Sequence, residues 1–228
     1  MQYIGLLASN DENALLYTPW RGGGVMTKNA NDLILRDRLQ FTLDAGGDQV
    51  TVYGRFDLSD YTSALERKGL SIKEITFMLR SPDSTVTPIT GNFPPWGFPS
   101  ASGDPTLGLA SALKIYATTR AYESAKDVGI ASPDVLVVET WDTLVGPYNI
   151  LNGVAQPGNH TLVHSRYSTG DLHPDGFPVV TDLLIGVASD NWTIASGATI
   201  ELDVMLIAAP ITISQKQLTE MLVQGQDQ

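Results

Sequence analysis

The sequence predicts an all-β fold, an antiparallel sandwich of eight strands, and three observations support this prediction. Apolar and polar residues alternate in strand-like segments from residue 33 to residue 208. Clusters of turn-forming residues separate most of these segments, and stretches with helical character are few and short. Hydrophobic residues make up 43% of the 228 residues, which is enough to bury one sizeable core within a single large domain.

The first two predicted strands form a hairpin. In the segment 33–43, leucine and phenylalanine occupy most positions of one strand face, whereas Arg36 and Arg38 lie on the other face. A glycine-containing turn follows at 45–48, and the alternation resumes over 50–58. We therefore expect two half-buried neighbouring strands.

Six further strands continue the pattern, with a short helix before them, a long loop among them and a second helix after them. Ser59 is expected to cap a short helix between the second and third strands, which runs to about Lys68. A C-terminal helix is expected where Ser214 and Gln217 form a capping box. Residues 81–108 are rich in proline, glycine and serine and form a loop. The six strands are predicted at 72–80, 109–119, 134–141, 160–167, 182–189 and 199–208.

These elements divide the chain into three parts. Residues 1–32 form an irregular N-terminal arm that contains three consecutive glycines, Gly22–Gly24. Residues 33–208 form the sandwich domain, and residues 209–228 hold the C-terminal helix and a polar tail. The features of the first part fit an arm that docks on a neighbouring subunit and fit a disordered terminus equally well.

Composition narrows the range of partners. The formal net charge is −11, and lysine and arginine form no run, so direct nucleic-acid binding is not expected. The absence of cysteine excludes disulfides and cysteine-ligated metals. No run of 18 apolar residues occurs, and Met1–Gly5 lacks a positively charged leader, so we expect neither a membrane span nor a secretory signal.

The three histidines are the candidate metal ligands. His160 and His164 are four residues apart on a predicted strand, so they share one face, and His173 follows nearby. The closely spaced His-x-His and Glu pattern of cupin enzymes is absent. A polar strand and turn explain the same residues, and we therefore predict no metal and no cofactor.

Glu139 and Asp142 flank Trp141 and are the candidate catalytic pair, because glycosidases use two carboxylates beside an aromatic platform. An acid at position 139 is also expected simply as the outward residue of an alternating strand. The sequence contains no Gly-x-Ser-x-Gly, Ser-x-x-Lys or His-Glu-x-x-His motif and no phosphate-binding glycine loop. We therefore predict that the protein is not an enzyme.

Aromatic residues in irregular segments are the candidate contact residues. Exposed aromatic loops mark contact surfaces, although such a loop can also fold back and bury its own rings. The C-terminal helix adds an apolar stripe. The residues nominated for subunit contacts are Trp20, Phe93, Trp96, Phe98, Leu218 and Met221.

Eight strands, a helix after the second, a long loop before the fourth and no catalytic motif together resemble the single jelly-roll major capsid proteins of viruses. The resemblance covers roughly Leu33 to Ala208 and lies in strand order and loop lengths. It implies two four-stranded sheets, ordered B-I-D-G and C-H-E-F. It also implies that 1–32, the 81–108 loop and the 214–223 helix contact neighbouring subunits in a virion.

One feature departs from this family. Capsid proteins that package RNA directly often carry an arginine-rich arm, whereas residues 1–32 contain only Arg21 and Lys28 as basic residues. The departure favours membrane-containing icosahedral viruses of archaea or bacteria. The partners implied are further copies of this chain, other capsid proteins, and an internal membrane or minor proteins beneath the shell.

Three functions fit the sequence. The first is a structural capsid protein that self-assembles into an icosahedral shell through its loops and terminal arms. The second is a carbohydrate-binding jelly-roll module that uses Trp96 or Trp192 as a platform. The third is a metal-dependent, cupin-like enzyme that uses His160, His164 and His173.

Overall fold

The computed structural model describes residues 32–44, 49–80, 109–145, 149–151, 154–156, 160–168, 175–191, 197 and 199–224. The N-terminal arm up to residue 31 and the 81–108 loop lie outside these residues. Within the described ranges, no helix is long and apolar enough to cross a membrane.

The described residues form an all-β fold with one α-helix. All eight strands expected from the sequence are present, and three short strands are added to them. The strands are β1 (Leu33–Thr42), β2 (Gln49–Phe56), β3 (Lys68–Arg80), β4 (Leu109–Thr118), β5 (Val135–Val145), β6 (Asn149–Leu151), β7 (Val154–Gln156), β8 (His160–Ser168), β9 (Phe177–Val179), β10 (Leu183–Asp190) and β11 (Thr199–Thr212), and the helix is α1 (Gln215–Gln224).

Two antiparallel sheets make the sandwich. The four-stranded sheet has the order β1-β11-β3-β9, and the five-stranded sheet has the order β2-β10-β4-β5-β8. Strands β6 and β7 pair with each other and with no other described strand. When the eight predicted strands are lettered B to I in chain order, the sixth, at 160–167, is strand G. The predicted order B-I-D-G places it beside β3, which is strand D. Instead β8 pairs with β5, and the short β9 takes the position beside β3.

The inner faces of both sheets supply one hydrophobic core. Alternating residues of β11, including Leu202 and Leu206, face Ile115 and Ile185 of the other sheet within a single buried cluster. Each of these four side chains is fully buried. The alternation on which the sequence prediction relied therefore selects the residues that leave water.

Strand β11 also shows how a proline is accommodated in a sheet. β11 lies between β1 and β3 up to Ala208, which is opposite Leu33. Beyond Ala208, β11 pairs with β3 alone among the described residues, and Pro210 lies in this part, opposite Leu70. A proline is tolerated at such a position because, within the described part of the chain, one edge of the strand makes no ladder hydrogen bonds.

The helix expected between β2 and β3 is not formed. Residues 57–67, called here the β2–β3 turn, form consecutive turns. Tyr61 and Thr62 both donate their N–H groups to the carbonyl oxygen of Leu58, and Ser63 exchanges two backbone hydrogen bonds of 2.9 Å with Lys68. The Ser63–Lys68 bonds use backbone groups that a longer helix would need, and the buried Leu58 anchors the turn in the core.

The segment 119–134 covers part of the outer face of the five-stranded sheet. The hydroxyl of Tyr116 donates to that of Tyr53 at 2.7 Å, and the Tyr53 hydroxyl accepts the N–H of Tyr122 at 2.8 Å. Lys114 donates to two backbone carbonyls of this segment. Burial raises the pKa of Tyr116 far above its ordinary value and lowers that of Lys114.

Helix α1 begins as the sequence predicts. The hydroxyl oxygen of Ser214 accepts the N–H of Gln217 at 3.3 Å, and the side-chain oxygen of Gln217 accepts the N–H of Ser214 at 3.2 Å. The reciprocal bonds satisfy two backbone donors at the helix start.

We predict that Gly186→Ala destabilises the fold, because a Cβ at this position would overlap the ring of the fully buried Tyr116. Overpacking of this kind costs about 1–3 kcal/mol of unfolding free energy. Chemical denaturation of the variant measures the loss.

Gly129→Ala is the matched control, since a Cβ there meets no atom within 4 Å. Its unfolding free energy should stay within about 0.5 kcal/mol of the parent value. Equal stabilities of the two variants would contradict the close approach at Gly186.

Candidate functional site

Four polar or aromatic side chains share the inner face of the five-stranded sheet at its β5–β8 edge. Glu139 and Trp141 lie opposite the core residues Ile115 and Leu113 of β4. On the other side, Glu139 lies opposite Arg166, and Trp141 lies opposite His164. We call Glu139, Trp141, His164 and Arg166 the inner polar cluster.

Glu139 is turned inward, which corrects the expectation of an outward acid. The residue is only 5% exposed, and its Oε1 atom is 2.7 Å from Nε2 of His164. The imidazole of His164 stacks on Trp141, with ring centroids 4.8 Å apart and planes 8° from parallel. The acid faces inward because its strand position has the same parity as the core residue Val137.

Arg166 connects the two sheets. Its Nη2 atom donates to the backbone carbonyl oxygen of Ile75 in β3 of the four-stranded sheet. Among the described residues, β9 pairs with β3 at Leu70–Ile72, on one side of Ile75. The Oε2 atom of Glu139 and the Nε atom of Arg166 are buried without a hydrogen-bond partner in the described part of the chain.

The candidate catalytic pair is not brought together. Glu139 and Asp142 are three residues apart on one strand, so they lie on opposite faces of the sheet. Trp141 shares the face of Glu139, while Asp142 is exposed on the outer face. These two carboxylates therefore cannot flank one glycosidic bond in the way that a glycosidase requires.

Of the three histidines, the structure describes the side chain of His164 alone. His164 contacts Glu139 through its Nε2 atom. His160 begins β8 with its side chain outside the described part, and His173 lies outside it altogether. Across the described ranges, no group of three His, Cys, Asp or Glu side chains is placed to hold a metal ion.

The nominated contact residues fall into two groups. Trp20, Phe93, Trp96 and Phe98 lie outside the described residues. Leu218 and Met221 of α1 belong to a small apolar cluster that also contains Val180 and Ile213. The helix therefore packs its apolar stripe against its own chain, and a role of these two residues in subunit contacts stays a prediction.

Sequence reasoning missed a groove of about 320 Å³ on the outer face of the five-stranded sheet. Leu144 and Val163 are large apolar side chains that remain 55% and 49% exposed there. The sequence of β5 contains an indication of this groove, because apolar residues occupy both faces of that strand. The outer groove is lined by Ala110, Ser111, Ala112, Asp142, Thr143, Leu144, Thr161, Val163 and Asp190.

Comparisons with known proteins give little guidance. No family model matches the chain, and no curated protein matches it. One similar solved structure is of Desmodium yellow mottle tymovirus, with 13% sequence identity over 94% of this chain and 98% of that chain. The TM-score is 0.26, so this likeness does not define a common fold.

We predict that His164→Ala destabilises the protein, because it leaves the buried carboxylate of Glu139 without its hydrogen-bond donor. The expected loss is about 1–3 kcal/mol of unfolding free energy, which chemical denaturation measures. Thr161→Ala, an exposed change on the same strand, is the control and should cost less than about 0.5 kcal/mol.

A double-mutant cycle with Glu139→Gln tests the pair itself. The two single losses should not add, because both variants disturb the same contact. Additive losses would show that His164 acts independently of Glu139.

Proposed function

We propose that this chain is a structural viral capsid protein that self-assembles into an icosahedral shell, and that it has no catalytic activity. The sandwich is the rigid body of the subunit, and the loops and terminal segments make the contacts between copies. Its location would be the virion.

The strand order is the observation that carries this proposal. The order β1-β11-β3-β9 fits the B-I-D-G sheet of a jelly roll, and β2-β10-β4-β5 fits the C-H-E-F sheet. In this assignment β8 is an additional strand at the edge of the second sheet. The order supports a jelly-roll subunit of the kind that the sequence resembles.

The inner polar cluster supports a structural role. The groups that an enzyme would use are engaged in holding the sandwich together: Glu139 is bonded to His164, and Arg166 is bonded across to the other sheet. Buried polar side chains with such partners fix the packing of two layers. Their hydrogen-bonding groups are then engaged within the protein.

The charge of −11 guides the choice of partners. An acidic chain is repelled by a nucleic-acid backbone, so the inner surface of the shell would meet other proteins or a membrane. Further copies of this chain are the principal partners, and minor capsid proteins or an internal membrane lie beneath the shell in this proposal.

Assembly of the purified full chain tests the proposal. Analytical ultracentrifugation and negative-stain electron microscopy should reveal regular particles, or the ring-shaped oligomers from which they are built, as protein and salt concentrations rise. A chain that stays monomeric under all these conditions contradicts the proposal. Quenching of tryptophan fluorescence by sugars in such a monomer would support the carbohydrate-binding module, and stoichiometric zinc, iron or manganese would support the metal enzyme.

We further predict that Trp96→Ala weakens assembly without changing the circular dichroism spectrum or the thermal midpoint. Truncating an aromatic residue at the centre of an interface raises the protein concentration needed for assembly by at least about tenfold. Ile130→Ser, which removes a 73% exposed apolar side chain outside the nominated loops, is the control and should assemble normally. Normal assembly of Trp96→Ala would remove the 81–108 loop from the interface.

A further inference from the structure

The outer groove has an apolar floor and an acidic rim. Leu144 and Val163 are exposed on the floor, and the carboxylates of Asp142 and Asp190 are exposed at the rim. Neither carboxylate has a hydrogen-bond or ion-pair partner among the described residues, and no lysine or arginine lines the groove. A complementary occupant therefore carries an apolar side chain next to a positive charge.

The β2–β3 turn presents such a pair of side chains. Leu65 is 98% exposed, more than any other large apolar residue of the described ranges. Arg67, two residues later, is exposed, and its guanidinium group has no partner in the described part of the chain. An apolar side chain beside an unpaired cation is complementary to the apolar floor and the acidic rim of the groove.

The turn holds this pair in a fixed conformation. The hydroxyl oxygen of Ser63 accepts the N–H of Glu66 at 3.2 Å, and two backbone bonds join Ser63 to Lys68. Arg67 has a φ of 57°, in the left-handed region that non-glycine residues rarely adopt. Fixed, strained residues of this kind cluster at binding sites, where the conformation is set before the partner arrives.

The turn and the groove lie at opposite ends of the same sheet. The turn follows Phe56, which is opposite the first residue of β10, Leu183, whereas the groove includes Asp190, the last residue of β10. Eight strand residues separate these ends by about 23–27 Å. A turn cannot reach the groove of its own chain, but it can reach that of a second copy.

We infer that the β2–β3 turn of one copy docks in the outer groove of a neighbouring copy, with Leu65 on the apolar floor and Arg67 at the acidic rim. This inference rests on the proposed function, because it specifies one contact of the assembly. The contact joins two different surfaces, so it is head-to-tail, and repetition of such a contact closes into rings when the rotation permits.

A cysteine pair tests the contact directly, since the chain contains no native cysteine. In the full-length double variant Leu65→Cys with Leu144→Cys, mild oxidation should give a ladder of disulfide-linked oligomers on a non-reducing gel. An intramolecular bond is excluded by the separation of the two ends, because disulfide-bonded Cα atoms lie within about 7 Å. The control is the double variant Ile130→Cys with Leu144→Cys, in which the exposed Ile130 replaces Leu65 as the first cysteine position. It should stay monomeric on the same gel.

Charge reversal gives an independent test. Arg67→Glu should raise the protein concentration needed for half-assembly by about tenfold, and adding Asp142→Lys and Asp190→Lys to it should restore assembly. Arg67→Gly separates charge from folding, because glycine favours the observed φ while it removes the cation. It should assemble poorly and remain at least as stable as the parent.

The outcomes separate this contact from the proposed function. Regular particles without an oligomer ladder, together with normal assembly of Arg67→Glu, would overturn the docking contact and leave the capsid proposal standing. A parent chain that never assembles would overturn both. A ladder accompanied by rescue through the reversed charges would support both.

Discussion

The fold depends on the insertion of its last strand between two of its earliest ones. β11 pairs with β1 along ten residues and with β3 along most of its own length. Its inward side chains, such as Leu202 and Leu206, are fully buried at the centre of the core. Because these contacts join residues far apart in sequence, the four-stranded sheet cannot form until almost the whole chain is available. The sandwich therefore behaves as one cooperative unit rather than as a series of independent hairpins.

The outer face of the five-stranded sheet is covered at one end and exposed at the other. At one end the segment 119–134 covers it, fixed by hydrogen bonds among Tyr53, Tyr116 and Tyr122. At the other end the outer groove leaves apolar side chains open to solvent. A sheet face covered by its own chain needs no partner, whereas an exposed apolar groove with an acidic rim is a surface suited to docking. This difference leaves the end of the outer face that holds the groove open to a partner.

Polar residues inside the sandwich serve its construction. Glu139 and Arg166 lie opposite each other in register, and each finds a partner elsewhere, Glu139 in His164 and Arg166 in the Ile75 carbonyl oxygen. A one-residue shift of β8 would turn both His164 and Arg166 to the outer face and leave Glu139 buried alone. The cluster therefore penalises the wrong register of β8, which has one neighbour, β5, among the described strands of its sheet.

The sequence by itself determined the strand positions, the inward residues of most strands and the capping box of α1, because these features depend on local periodicity and on hydrogen bonds between neighbouring residues. It did not determine where β8 pairs, because a strand pattern specifies which face is apolar but not which strand lies beside it. The β2–β3 turn replaces the helix expected after β2. Leu58 is anchored in the core, and local helix propensity contains no information about that tertiary contact. The inward position of Glu139 and the outer groove likewise arise only when strands from distant parts of the chain meet in one sheet.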